Sequence, residues 1–132
     1  MNLYVYTDGA SRGNPGDAGI AYVVYNDKLE LIYEFSKYIG KTTNNVAEYM
    51  ALLKALEKVK EFSPERVCFY LDSELVVKQM KGEYKIKNEK LMNIYRKVKV
   101  YTSYFDCIFE HIPRELNKIA DKLAKDASYN IM

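Results

Sequence analysis

The chain has 132 residues, 48% hydrophobic and 29% charged, a composition that fits one domain over residues 1–132 and excludes a disordered or low-complexity chain. No run approaches the ~20 apolar residues that cross a bilayer, and the start, MNLYVYTDG, lacks the layout of a secretion signal. Lys plus Arg number 20 and Asp plus Glu 18, a formal +2, yet residues 78–99 alone hold eight basic and two acidic side chains. A basic segment on an acidic remainder points to an anionic partner held beside carboxylates. Cys68 and Cys107 lack metal-ligand spacing and read as core thiols of a reducing, cytoplasmic compartment.

In chain order, residues 3–8 alternate Leu3, Val5 and Thr7 against Tyr4 and Tyr6, which predicts a strand. Residues 9–19, with four glycines and a proline, predict a turn-rich break. A second strand is expected over 19–25, a tight turn at Asn26 and Asp27, and a third strand over 29–38 with Leu29, Leu31, Tyr33 and Phe35 on one face. The period then changes: Val46, Tyr49, Met50, Leu53, Leu56 and Val59 predict a helix over 45–62, capped by Thr43 or Asn44 and ended by Ser63-Pro64. A strand over 66–71 follows, then a helix starting just after Asp72 and another over 88–101. A strand over 104–112 comes next, and a last helix begins near 113–116, burying Leu116, Ala120, Leu123, Ala124 and Ala127. The order β-β-β-α-β-α-α-β-α describes an α/β fold, a mixed sheet with helices on its faces.

Asp8 closes the first strand and Asp72 the fourth. If a crossover through the long helix makes those strands parallel neighbours, both carboxylates emerge at the carboxyl edge, where open α/β sheets bind ligands. Glu48 lies in the first turn of the long helix, and Asp121 shares a helix face with Asn117. Singly, each is an ordinary turn or surface acid. Converging, they could not all stay ionised without cations. All-oxygen donors suit Mg²⁺ or Mn²⁺ rather than zinc, and two such ions can clamp a phosphodiester for hydrolysis.

The segments YTDGASRGNPGDAG (residues 6–19), TNNVAEYMAL (43–52), DSELVVKQM (72–80) and HIPRELNKIADKLA (111–124) resemble the motifs of the ribonuclease H type 1 family, in its order and spacing, over nearly the whole chain. The resemblance implies a five-stranded mixed sheet whose first three strands are antiparallel. It implies an endonuclease that cuts the RNA strand of an RNA/DNA hybrid, leaving 5′-phosphate and 3′-hydroxyl ends. The family's metal ligands fall on Asp8, Glu48, Asp72 and Asp121. Asp8 would bridge two ions, Asp121 would complete the one that activates water, and Glu48 and Asp72 would hold the other. His111, the single histidine, matches a mobile catalytic histidine that aids proton transfer or product release. Gly13, Asn14 and Asn44 would meet ribose 2′-hydroxyls, the groups that distinguish RNA from DNA, while Thr43 and Asn45 would hold the DNA-side backbone. Asn117 matches an asparagine beside the metals that positions His111 or a phosphate.

Two departures matter. Glu74 stands where the family frequently has Gln, so its contact with the RNA strand changes, because a carboxylate cannot donate. The long basic protrusion of some bacterial members has no room between 98 and 104, and no hybrid-binding domain is expected. The basic residues of 78–99 are candidates for part of that grip. The expected partner is an RNA/DNA hybrid, with double-stranded RNA as a second candidate duplex, and the expected state a monomer without a membrane role. A non-catalytic nucleic-acid binder and a purely structural α/β domain are the rival readings. The presence of all four carboxylates weighs against the first.

Overall fold

The computed structural model describes residues 1–131. Strands β1 (Asn2–Ser11), β2 (Gly16–Tyr25) and β3 (Leu31–Thr42) form an antiparallel meander. Helix α1 (Asn44–Lys60) crosses over to β4 (Arg66–Leu71), which lies parallel to β1. Helices α2 (Glu74–Met80) and α3 (Glu89–Tyr101) lead to β5 (Asp106–His111), parallel to β4. A 3-10 turn, Arg114–Leu116, precedes α4 (Lys118–Ala127). The sheet order is β3-β2-β1-β4-β5, with β1 in the middle. No helix among the described residues is long and apolar enough to cross a membrane.

The α1 face of the sheet carries the core. Leu3 and Val5 of β1, Tyr22 and Val24 of β2 and Val67, Phe69 and Leu71 of β4 pack with Leu52, Leu56 and Val59 of α1 and Val98 of α3. Thr43 caps α1, its Oγ1 accepting from the Val46 N–H at 3.3 Å. Ser73 caps α2 through the Val76 N–H in the same way.

The structure departs from expectation where glycine does something other than turn the chain. Residues 9–19 were expected to be a break, but β1 runs on to Ser11 and β2 begins at Gly16, with Asp8, Gly9, Ala10 and Ser11 paired to Ala21, Ile20, Gly19 and Ala18. Gly9 and Gly19 sit inside strands because helices lie directly on them. A methyl on Gly9 would stand 2.2 Å from the Ala47 carbonyl carbon of α1, and one on Gly19 2.2 Å from the Ala124 oxygen of α4. The same tight seat explains α4, whose buried residues are Ala120, Ala124 and Ala127. Leu116, expected in that core, is exposed on the 3-10 turn, and Leu123 is half-buried.

The Asn26-Asp27 turn is a wider loop, in which Asn26 N–H reaches Glu30 O at 3.0 Å and Leu29 takes φ 60°. The third strand thus starts at Leu31, and Leu29 and Leu31 are exposed, leaving Tyr33 and Phe35 against the core. The last strand starts at Asp106 because its partner β4 starts at Arg66. Cys68 and Cys107 are free thiols but only half-buried.

Candidate active site

The register between β1 and β4 ends at Tyr6 opposite Tyr70, and each strand delivers an aspartate two residues later. Asp8 and Asp72 therefore meet at the carboxyl edge. Because α1 rests on Gly9, Glu48 is brought down onto the same point. Carboxylate oxygens of Asp8, Glu48 and Asp72 all lie within 4.8 Å of one another. Asp8 is 5% exposed and Glu48 3%, and Asp72 is half-buried. The Gly9 N–H donates to Glu48 Oε1 at 2.5 Å and lies 3.0 Å from Asp8 Oδ1, tying strand to helix.

Asp121 is brought alongside rather than into this trio. It faces Asp8 from the first turn of α4, and its Oδ2 pairs with Lys125 Nζ at 3.1 Å. Asn117, 1% exposed, does not cap α4 with its side chain. It reaches across the edge, its Nδ2 donating to the Thr7 carbonyl at 2.9 Å and to Asp72 Oδ2 at 3.3 Å. Arg114, which sequence reasoning missed, lends its charge to both Glu48 and Asp72.

Burial pushes Asp8 far above the usual carboxylate range, and the Glu48 and Asp72 charges add to that rise. Glu48 is likewise raised by burial, against the downward pull of its contacts with Asp8 and the Gly9 N–H. Asp72 is raised by burial, held back by Asn117 and Arg114 and pushed up again by Asp121. Acids this close ionise together only beside a strong positive charge. The donors are all carboxylate oxygens, so the site fits a hard divalent cation such as Mg²⁺ or Mn²⁺.

The other expected residues surround the trio. His111 ends β5 opposite Leu71 and is exposed, near enough for its charge to favour ionised Asp72. Gly13 and Asn14 lie in the turn after β1. Asn14 Oδ1 accepts from the Asn44 N–H at 3.1 Å, and Asn44 Oδ1 from the Ser11 N–H at 3.3 Å. That turn and the start of α1, which carries Thr43, Asn44 and Asn45, thus form one ledge next to Glu48. Glu74 is exposed and pairs with Lys78 Nζ at 2.8 Å. Gly9 was also missed as a site residue. Its signal was an Asp-Gly pair inside an alternating strand, which turn propensity disguised.

Residues 6–127 match a family model described as reverse transcriptase-like. Ribonuclease H of Prosthecochloris aestuarii is 33% identical over 144 residues, covering 97% of this chain and 96% of that protein. The chain belongs to the ribonuclease H type 1 family. Among solved structures of that family, LC11-RNase H1 in complex with RNA/DNA hybrid is 44% identical, covers 95% of each chain and superposes with a TM-score of 0.90. The N-terminal RNase H domain of Rv2228c from Mycobacterium tuberculosis is 38% identical, covers 97% of this chain and 99% of that one, and gives a TM-score of 0.93. This chain spans only 35% of the full-length bifunctional protein Rv2228c, to which it is 40% identical. The ribonuclease H fold expected from the sequence is thus the fold observed, from the antiparallel meander to the parallel β1-β4-β5 edge.

Proposed function

We propose that this chain is a single ribonuclease H domain that hydrolyses the RNA strand of an RNA/DNA hybrid endonucleolytically. The observation that carries the reading is the meeting of Asp8, Glu48 and Asp72 within 4.8 Å at the carboxyl edge of two parallel strands. Support for the substrate comes from the similar LC11-RNase H1, whose structure holds such a hybrid.

In this reading Asp8, Glu48 and Asp72 hold the cation site, with Asp121 completing it from α4. Two Mg²⁺ or Mn²⁺ ions bound there supply an acidified water and offset charge at the leaving oxygen. The chain's own residues do the rest. The Gly9 N–H fixes Glu48 against Asp8, and Asn117 fixes Asp72 against the Thr7 carbonyl, so the carboxylates are preorganised. His111, exposed at the end of β5, carries a proton between the reacting phosphate and solvent. The ledge of Gly13, Asn14 and Asn44 takes the RNA strand by its 2′-hydroxyls, and Thr43 and Asn45 take the DNA backbone. Glu74, tied to Lys78, accepts from the RNA strand and repels its phosphates, an arrangement that favours a sugar contact.

The test presents one labelled strand as RNA/DNA hybrid, RNA/RNA duplex, DNA/DNA duplex and single-stranded RNA, each with Mg²⁺, Mn²⁺ or EDTA. Cutting of the hybrid's RNA strand that needs the metal and disappears in Asp8→Asn is the expected result. Hybrid binding without cutting by folded protein in either metal would overturn the enzymatic reading. Equal cutting of the RNA duplex would overturn the hybrid specificity.

A further inference from the structure

Helix α4 is fastened at both ends. At its start Asn117 holds the Thr7 carbonyl and Asp72. At its far end stands Ser128, its C-cap, fully buried, whose carbonyl accepts from Arg12 Nε at 3.3 Å. The last carbonyls of a helix have no partner within it and carry its negative pole, so a guanidinium is a favourable neighbour there. The Arg12 guanidinium also lies over the Tyr129 ring, 4.0 Å from its centroid. Between its ends the helix is seated on Gly19 of β2, where a methyl would stand 2.2 Å from the Ala124 oxygen and 2.6 Å from the Ser128 nitrogen.

Arg12 opens the turn that carries Gly13 and Asn14. Its backbone N–H donates to the Asp17 carbonyl at 2.8 Å and closes the turn, while Nη2 donates to Asp17 Oδ2 at 3.3 Å. Asp17 Oδ1 accepts from the Tyr38 hydroxyl of β3 at 2.8 Å. With side chains 32% and 19% exposed, Arg12 and Asp17 are mostly withdrawn from water and meet as a charge-assisted pair. The inner side of the turn is held separately. There Ser11 Oγ donates to the Thr42 carbonyl at 2.9 Å, and Asn14 Oδ1 takes the Asn44 N–H. The turn thus has two anchors, one on the start of α1 beside Glu48 and the other on the end of α4, the helix that carries Asp121. Among the described residues the ion partner of Arg12 is Asp17, which lies outside the acidic site. What Arg12 fixes is the turn.

We infer that Arg12 is a positioning residue for recognition of the RNA strand: by gripping Asp17, Ser128 and Tyr129 it sets the Gly13–Asn14 turn at a fixed distance from the acid on α4. The inference rests on the hybrid-cleavage reading above. It extends the substrate machinery to Ser128 and Tyr129, which lie beyond the last of the four sequence motifs.

The experiment uses the full chain and two fluorescein-labelled duplexes of one sequence, RNA/DNA hybrid and DNA/DNA. Dissociation constants come from anisotropy in EDTA, and KM and kcat from hybrid cleavage in Mg²⁺. Arg12→Lys keeps the positive charge and the pairing with Asp17 but loses the planar stack on Tyr129 and the Nε donor to Ser128. It should weaken hybrid binding about fivefold, the loss of one exposed stack and one charge-assisted bond. Binding of the DNA duplex should stay unchanged, because that duplex offers the turn no 2′-hydroxyl. KM for the hybrid should rise by a similar factor, with kcat within about twofold of wild type. Tyr129→Ala should narrow the preference for hybrid in the same direction by about twofold, whereas Tyr129→Phe, which keeps the ring, should bind both duplexes as wild type does. Added to Arg12→Lys, Tyr129→Ala should change nothing more, because the two residues act through one contact. A preference for hybrid that survives Arg12→Lys unchanged would overturn the inference. An equal loss on both duplexes would overturn it too, since that marks a brace for stability alone. A wild-type chain that prefers the hybrid but does not cut it would overturn the cleavage reading instead, with the binding ratio still reporting on Arg12.

Discussion

Gly9→Ala is the sharpest probe of how the fold makes the site. The added methyl would lie 2.2 Å from the Ala47 carbonyl carbon and 2.4 Å from both the Ala47 oxygen and the Glu48 nitrogen, all backbone atoms. Ordinary contact begins near 3.4 Å, and a packed interior has no void to take up the difference, so β1 and α1 must part by about 1.2 Å. The Gly9 N–H to Glu48 bond, 2.5 Å in the wild type, then stretches to about 3.7 Å, outside hydrogen-bond range. Overpacking costs about 1–3 kcal/mol, and the lost hydrogen bond to the Glu48 carboxylate about 1.5–3 kcal/mol more, with the Gly9 N–H left to Asp8 Oδ1 alone. A loss of roughly 3 kcal/mol lowers Tm by roughly 10 °C in a domain of this size. Displacing a catalytic carboxylate by about 1 Å costs roughly 10²-fold in rate. Thermal melts in EDTA, and hybrid cleavage assayed well below the variant's Tm, read the two effects separately. A Gly9→Ala chain that melts within about 2 °C of wild type and cleaves at a comparable rate would refute the idea that this contact sets the Asp8 to Glu48 geometry.

Other perturbations separate chemistry from support. His111→Ala should slow hybrid cleavage roughly 10²-fold without abolishing it and leave Tm unchanged, since the side chain is exposed; total loss of activity would contradict its assignment to proton transfer. Asn117→Ala leaves the Thr7 carbonyl and Asp72 without their shared donor and should cost about 1–3 kcal/mol in denaturant melts; an unchanged midpoint would refute the bracing role. Burial pushes the Cys107 thiol up to about 12 and raises the Tyr22 and Tyr49 phenols. These groups favour the folded state below their unfolded values, and that contribution drains away as pH climbs from about 9 through 12. Urea midpoints at pH 8 and pH 10.5 should therefore fall with rising pH, and Cys107 should resist alkylation in the native state at pH 8; a midpoint that rises, or rapid native labelling, would contradict the burial.

Much of this was legible in the chain because it depends on short-range pattern. The two-residue alternation of Leu3, Val5 and Thr7 and the helical spacing from Val46 to Val59 fixed which faces are buried, and Asp72 followed as a strand-end residue, whereas Asp8 lies inside β1, two residues past the end of its pairing with β4. What failed did so where a local preference is overruled by a distant partner. Gly9 and Gly19 look like turn residues until α1 and α4 are laid across them. Leu116 looks like the first core residue of the last helix, yet three alanines supply that helix's buried face because the backbone of β2 leaves room for nothing larger. The sequence reads Asn117 as a residue beside the metals that positions His111 or a phosphate, and no spacing shows that its Nδ2 also spans to the Thr7 carbonyl, 110 residues away. The Tyr49 to Gln79 bond joins residues 30 apart on different helices, and no spacing rule announces such a pair. Strand ends at Asp106 and Leu31 shifted because pairing stops where the neighbouring strand stops.

The central position of β1 also governs how the molecule comes into being. The meander on one side of it closes through short loops, whereas its parallel partner β4 waits for the whole of α1, and α4 docks on β1 and β2 last in chain order. Long-range parallel pairing is the slow part of assembling such a sheet, and synthesis proceeds from the N-terminus. A half-made chain therefore displays Asp8 on a finished hairpin with no acid opposite it. The proposed acidic set is complete only once α4 brings Asp121 beside Asp8, so the last helix to be made finishes a site that the first strand began.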